Sequence, residues 1–350
     1  MVKGKPNHEI TLGIQKPRVW SPEDPYLYGL QIRLVDSHTG QQIDAVTSYC
    51  AMRKVSLVRD AKGILRLGLN NAPIFHYGPL DQGFWPHGLY TPPTDDAMRF
   101  DIEVTQRMGF NMIRKHIKVE PARWYYYCDK LGVMVWQDMP SGGTQFNGVF
   151  AMLILNRKHV PMWGRKDPEN QKQYFTELEE MITALYHFPS IMVWVPFNEG
   201  WGQFRTEDAT ALVRKVDPSR LINSASGWED KHVGDMHDVH VYPGPGMPQL
   251  EETRAVVCGE FGGLGWEVRD HMWSVKSTFA YRKYKSKETL AVAYEKLVQQ
   301  LKTLKERGLA GAVYTQTTDV EGEVNGVLTY DRAIAKMDVE WLAHLHKYVI

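Results

Sequence analysis

In the opening stretch of the chain, Tyr28, Leu30, Ile32 and Leu34 interleave with Gly29, Gln31 and Arg33. That period of two is the mark of a half-buried strand. Ser37-His38-Thr39-Gly40 reads as a turn, and Ile43 to Val58 as a returning strand or two. The region holds about four strands, against roughly seven in an immunoglobulin-like sandwich. Residues 1–68 are therefore expected to be a partial immunoglobulin-like β-sandwich, with the chain starting inside that module.

From about residue 70 the pattern changes to short apolar runs separated by helical stretches, the βα signature of a parallel sheet. Ile74 to Gly78 is the first run. A helix follows, capped by Thr94 with Asp95 and Asp96 in its first turn. Asn111 to His116 is a second strand, Pro121 and Gly132 bracket a helix, and Val133 to Asp138 is a third strand. A long loop, 139–169, is rich in Gly, Asn and Pro and suggests cover over a closed pocket. A helix at about 171–187 leads into the apolar run Ile191 to Phe197. After a helix at about 205–216, strands are expected near 221–225, 236–242 and 254–260. A charged helix spans about 286–307, Ala310 to Gln316 is the eighth strand, and a closing helix occupies about 332–346. Eight strands between residues 69 and 350 predict a (β/α)8 barrel.

The charge balance, 41 basic against 41 acidic residues, offers no field for nucleic acid or an anionic membrane. No segment approaches the ~18 unbroken apolar residues of a membrane span, and the start carries no apolar export signal. The compartment is left open. Cys50, Cys128 and Cys258 have no ligand spacing and read as free thiols.

The chemistry gathers at strand ends, where a barrel of this class builds its site. The run Ile191-Met192-Val193-Trp194-Val195-Pro196-Phe197 ends in Asn198-Glu199, and Ala255 to Gly259 ends in Glu260. Two carboxylates on two buried strands suit glycoside hydrolysis, with one proton donor and one nucleophile. Pleat parity adds Arg114 and His116 in phase with Met112, and Asp138 in phase with Trp136. It also groups Asp238, His240 and Tyr242 on one face, and Tyr314 with Gln316 on another. His237-Asp238-Val239-His240 makes a poor chelate, because strand positions three apart point to opposite faces.

The chain resembles the catalytic part of glycoside hydrolase family 2, the β-galactosidases, β-glucuronidases and β-mannosidases. The resemblance rests on Trp20-Ser21-Pro22-Glu23-Asp24-Pro25-Tyr26-Leu27-Tyr28, Phe110 to His116, His187 to Glu199, and Cys258-Gly259-Glu260-Phe261-Gly262, and runs from about residue 14 onward. It implies that Glu199 is the acid/base and Glu260 the nucleophile. It further implies that Asn198 holds the sugar's 2-hydroxyl, Arg114 supports Glu260, and Tyr242 hydrogen-bonds it. As the implied proton donor of the pair, Glu199 must stay protonated and should sit in an apolar wall, with Trp194, Phe197 and Trp201 nearby in sequence. His116, Asp138, His240 and Trp201 complete the expected substrate-binding set.

The chain departs from that family's pattern in three places. The sugar-binding jelly roll is absent. Trp273-Ser274-Val275-Lys276 lacks the Asn of the Asn-x-Lys pair that grips a glucuronide carboxylate. Strand eight ends Tyr314-Thr315-Gln316-Thr317-Thr318-Asp319 without the usual Trp. The expectation is a retaining exo-β-glycosidase of β-galactosidase type, needing no cofactor or metal and acting on a carbohydrate. Self-association through the incomplete sandwich is expected as well. The rival readings are an endo-acting β-mannanase-like enzyme and a non-catalytic carbohydrate-binding barrel.

Overall fold

The computed structural model describes residues 2–142 and 164–350. Strands β1 (Tyr28–Val35) and β2 (Gln42–Cys50) form an antiparallel ribbon, with Ile32 opposite Val46. Strands β3 (Val55–Arg59), β4 (Leu65–Leu69) and β5 (Ala72–Pro73) form a three-stranded antiparallel sheet. The barrel begins with β6 (His76–Asp81), β7 (Met112–Lys115), β8 (Met134–Asp138) and β9 (Ile191–Val195). Beyond Pro196, β10 (Phe197–Asn198) continues the fourth barrel strand; β11 (Leu221–Ile222) is the fifth, and β12 (Ala225–Ser226) pairs with β10. The ring is completed by β13 (Met236–Val241) and β14 (Ala255–Gly262), then, after a short pair β15 (Leu264–Trp266) and β16 (Arg282–Tyr284), by β17 (Gly311–Thr315).

The eight parallel strands run β11-β9-β8-β7-β6-β17-β14-β13. The seam between the two ends is bridged where Asp235 N–H donates to Ile222 O at 2.8 Å and the Asp235 carboxylate accepts from Ile222 N–H at 2.8 Å. The fold is thus the expected (β/α)8 barrel, preceded by the strands of a partial immunoglobulin-like sandwich.

The local signals explain the elements. Thr94 caps the helix Asp95–Arg107 by accepting from Ala97 N–H at 3.0 Å. Gly132 closes the helix Ala122–Leu131 at φ 79°, where a Cβ would stand 2.5 Å from Pro22 O, so only glycine fits. Asp167 caps Pro168–Leu185, and Ser286 with Thr289 forms a capping box on Lys287–Arg307. The closing helix is shorter than expected, Val339–His346. The chain before it serves another purpose: the Lys336 ammonium is buried against Asp319, Trp266 O and Val324 O, at 2.7, 2.8 and 3.0 Å.

Strand parity divides the core in two. Met112, Met134, Trp136, Val193, Val195, Val257 and Val313 fill the barrel's interior, while Ile113, Val135, Trp194 and Ile222 pack outward against helices. Leu67 and Leu69 of β4 join the interior cluster from below, with Val55, Leu57 and Leu65 packed against it. The seam expected between residues 68 and 69 therefore falls inside an unbroken strand that plugs the barrel's amino end. Trp20, fully buried, ties the N-terminal segment to the barrel by donating to Asp129 O at 2.7 Å.

Tyr314 is a second departure. It lies in the outer cluster with Tyr294 and Phe261, while Thr315 turns inward and Gln316 follows the strand's end. Tyr314 and Gln316 do not share a face, because pleat alternation no longer governs a residue past the last ladder position. The expected cover from the 139–169 loop falls largely on 143–163, outside the described residues.

A carboxylate pair at the carboxyl ends of the strands

Arg114 on β7 is the hub. Its side chain is wholly buried, and all five guanidinium N–H groups are used. They donate to Asp138 Oδ1 and Oδ2 at 3.1 and 2.9 Å, Glu260 Oε1 at 3.1 Å, Gly259 O at 3.1 Å and Asn198 Oδ1 at 2.8 Å. A buried cation is tolerable only with such pairing. Asp138 at the end of β8 also meets His116 Nδ1 at 3.1 Å and Ile117 N–H at 3.3 Å. Its carboxyl is held below the ordinary range because the Arg114 charge outweighs burial.

Phe197 stacks outward on Tyr174, with ring centroids 5.1 Å apart and planes at 7°, so Asn198 turns inward. Glu199 then sits at φ 55° with its N–H on Ser226 O at 2.7 Å. The left-handed conformation costs a non-glycine residue about 1–3 kcal/mol, and such strain collects at functional sites. Gly259 is required one residue before Glu260: a Cβ there would stand 2.1 Å from Asp238 Oδ2 and 2.5 Å from Ser226 Oγ.

Between the carboxylates stands His240 on β13. Its Nδ1 lies 2.9 Å from Glu199 Oε1 and 3.4 Å from Glu260 Oε2. Its Nε2 meets Ser226 Oγ at 2.9 Å, and that hydroxyl donates to Asp238 Oδ2 at 2.7 Å. With the serine proton committed to Asp238, His240 Nε2 carries a hydrogen, and Nδ1 carries the one shared with the glutamates. Burial opposes a charge on His240, but Glu260 and Glu199 outweigh it and raise its pKa above 6.5. Burial would raise Glu199, yet the hydrogen bond and charge of His240, with the Trp201 indole donating at 2.6 Å, pull it below 4.5. The expectation of a protonated Glu199 in an apolar wall is therefore corrected for the ligand-free site. Trp194 points away, bonding Asp217 at 2.8 Å, and Phe197 is outside; the proton rests on His240.

Tyr242 donates to Glu260 Oε2 at 2.6 Å and meets Thr315 Oγ1 at 2.7 Å. Tyr281 lies flat on Tyr242, 3.5 Å away at 1°. Trp228 stands edge-on to Trp201 at 5.8 Å and close over Gly200. All nine expected site residues thus meet around one centre. Sequence reasoning gave no role to Ser226, Asp238, Thr315, Tyr281 or Trp228. Parity had placed Asp238 on the right face; Tyr281 and Trp228 sit in loops that carry no periodic signal.

The ligating atoms of Glu199, His240 and Glu260 lie within 4.8 Å of one another, so these three groups could hold a cation in place of the proton on His240 Nδ1. Asp230, His237 and Glu251, at the amino end of β13, are as close together. There Arg254 already pairs with both carboxylates, at 2.7–2.9 Å, and supplies the positive charge. His237 and His240 indeed diverge, one into each cluster.

A (β/α)8 barrel with two glutamates, one buried and one partly exposed, converging at its carboxyl face defines a class of sugar-handling protein. Residues 93–306 match the TIM barrel domain of glycosyl hydrolases family 2, and residues 1–53 match the description "Glycosyl hydrolases family 2". The chain belongs to glycoside hydrolase family 2. It is 28% identical over 232 residues to a beta-galactosidase of Alteromonas mediterranea, covering 65% of this chain and 20% of that protein. A putative beta-glucuronidase of Formosa agariphila is 27% identical over 226 residues, covering 62% and 19%. The chain thus spans about a fifth of these relatives' length. Its fold is that of the GH2 beta-galacturonidase from Eisenbergiella tayi, with a TM-score of 0.69 at 18% identity over 97% of this chain and 60% of that one. It is likewise that of Bacteroides uniformis beta-glucuronidase 3, with a TM-score of 0.67 at 17% identity over 94% and 44%.

Proposed function

We propose that this chain is the catalytic barrel of a retaining exo-β-glycosidase of β-galactosidase type. The observation that carries the reading is the approach of Glu199 and Glu260, whose nearest oxygens lie within 4.8 Å. Retention by double displacement uses carboxyls about 5–5.5 Å apart, whereas inversion needs ~6.5–9.5 Å to admit a water. The naming of several relatives as beta-galactosidases supports the sugar type.

Glu260 attacks the anomeric carbon while Glu199 gives its proton to the departing glycosidic oxygen, and the C–O bond breaks. Water then loses a proton to Glu199 and displaces Glu260, releasing the sugar. Arg114 and Tyr242 hold Glu260 aimed, each donating a hydrogen bond to one of its oxygens. The proton that Glu199 needs stands 2.9 Å away on His240 Nδ1, and its transfer leaves the site's net charge unchanged. Asn198, fixed by Arg114, presents its amide to the sugar's 2-hydroxyl.

Glu260→Gln should abolish turnover of aryl β-glycosides and leave the melting temperature within a degree or two. A 2-fluoro glycoside of the accepted sugar should add one glycosyl mass to the wild-type protein, on the peptide bearing Glu260. A label on any other residue defeats the assignment.

A further inference from the structure

The side of the pocket facing Asn198 is built from the loop after β17. Thr315, at the end of that strand, shares a hydrogen bond with Tyr242, which holds Glu260. The next residue, Gln316, is locked: its carbonyl accepts from Gln82 at 2.8 Å, and its amide donates to Asn325 Oδ1 and Glu323 Oε2, both at 2.7 Å. The Glu323 backbone is laced to the segment carrying Tyr281, through Phe279 N–H to Gly322 O at 2.7 Å and Val324 N–H to Phe279 O at 2.9 Å. Tyr281 in turn covers Tyr242. Glu323 therefore stands in one continuous wall with the nucleophile. It remains partly exposed, with His116 the nearby basic group that acts on its charge.

The placement has a geometric meaning. In the ring order, β9, which leads to Asn198 and Glu199, is four strands from β17 and lies diametrically across the barrel. If Asn198 takes the 2-hydroxyl and Glu260 the anomeric carbon, the far edge of the pyranose, C4 to C6, faces the loop after β17. We propose that Glu323 reads that far edge, accepting hydrogen bonds from the hydroxyls of a neutral pyranoside and rejecting a sugar that carries a carboxylate there. This rests on the glycosidase reading above and narrows its substrate class. A carboxylate acceptor in a partly buried wall favours hydroxyl donors and disfavours like charge. Burial, with the nearby Glu260 charge, outweighs the Gln316 and Asn325 hydrogen bonds and the His116 charge and raises the Glu323 carboxyl above its ordinary value, so a second anion beside it would be costly to accommodate. Among the described ion pairs Lys276, exposed beside Val275, has no partner in this wall.

The test is kcat/KM for aryl β-galactoside, β-glucoside and β-mannoside against aryl β-galacturonide and β-glucuronide, with wild type, Glu323→Gln and Glu323→Ala. Wild type should favour its best neutral substrate over either uronide by about 10²-fold or more. That preference should shrink on acidification as Glu323 gains a proton, a readout that a merely structural residue would not move. Glu323→Gln should cut kcat/KM on the neutral sugar about 10–100-fold without lowering that on uronides. Equal wild-type rates on neutral and uronic substrates, or a Glu323→Gln ratio within twofold of wild type, overturns the role of Glu323 and leaves the glycosidase reading intact. Hydrolysis of none of the panel overturns both. The wild-type ratio and its pH dependence decide the question even if a variant fails to fold.

Discussion

At the scale of the residue, His240 and Glu199 form a coupled acid–base pair. Its pKa is raised above 6.5 and that of Glu199 is lowered below 4.5. A raised histidine stabilises the fold fully below 6.5 and loses that contribution as pH rises through its folded value. A lowered glutamate stabilises above 4.5 and loses it as pH falls through its folded value. The pair thus contributes most between 4.5 and 6.5. In His240→Gln the melting temperature should fall furthest behind wild type inside that window and converge toward it on both sides. The same change leaves Glu199 to hold its own proton against ionisation. The alkaline limb of kcat/KM should therefore move to lower pH, because a carboxyl releases its proton before an imidazolium in this site does. An unmoved limb would mean that His240 does not carry the working proton.

The scale of the element shows how the barrel is closed from below. The β3–β4 hairpin presents Leu57, Leu65, Leu67 and Leu69 to the floor of the interior, with Leu67 fully buried among them. Leu67→Ala should destabilise by about 2–5 kcal/mol, the usual range for a core leucine whose surroundings cannot collapse into the void. Chemical denaturation checks this, and kcat on an aryl glycoside should be little changed in the folded fraction, since the hairpin is at the opposite end from the glutamates. A loss under 1 kcal/mol would show that the hairpin is a passive appendage. The division of the chain into a strand module and a barrel is a proposal, and this packing favours a seam between β2 and β3.

For the molecule as a whole, the unusual surface is the β1–β2 ribbon. Ile32, Leu34 and Val46 share one of its faces, at 53%, 45% and 52% exposure, and among the described strands β1 and β2 pair only with each other. Open edges and bare apolar faces drive association. The folded chain should bind a hydrophobic dye or self-associate in sedimentation velocity at micromolar concentration. Ile32→Lys with Val46→Lys should reduce both. A monodisperse wild-type monomer that binds no dye would show that the ribbon is sufficient alone.

What could be read from the sequence was what repeats or what sits at a fixed offset from a repeat. Alternation placed Met112 and Trp136 inside the barrel, and parity carried Arg114 and Asp138 to the rim with them. Thr94 and Gly132 marked helix ends, because their capping hydrogen bonds are made within four positions. Glu199 and Glu260 were visible because a charge ending an apolar run is rare unless function keeps it there. The tertiary structure decided what depends on atoms distant in the chain. The His240 bridge to Glu199, the Tyr242 bond to Glu260 and the Tyr281 cover join residues 18 to 41 positions apart, and the wall around Gln316 reaches back to Gln82, so no local period encodes them. Alternation also stopped predicting at Gln316, where the ladder ends and the loop's own hydrogen bonds to Gln82, Glu323 and Asn325 take over the orientation.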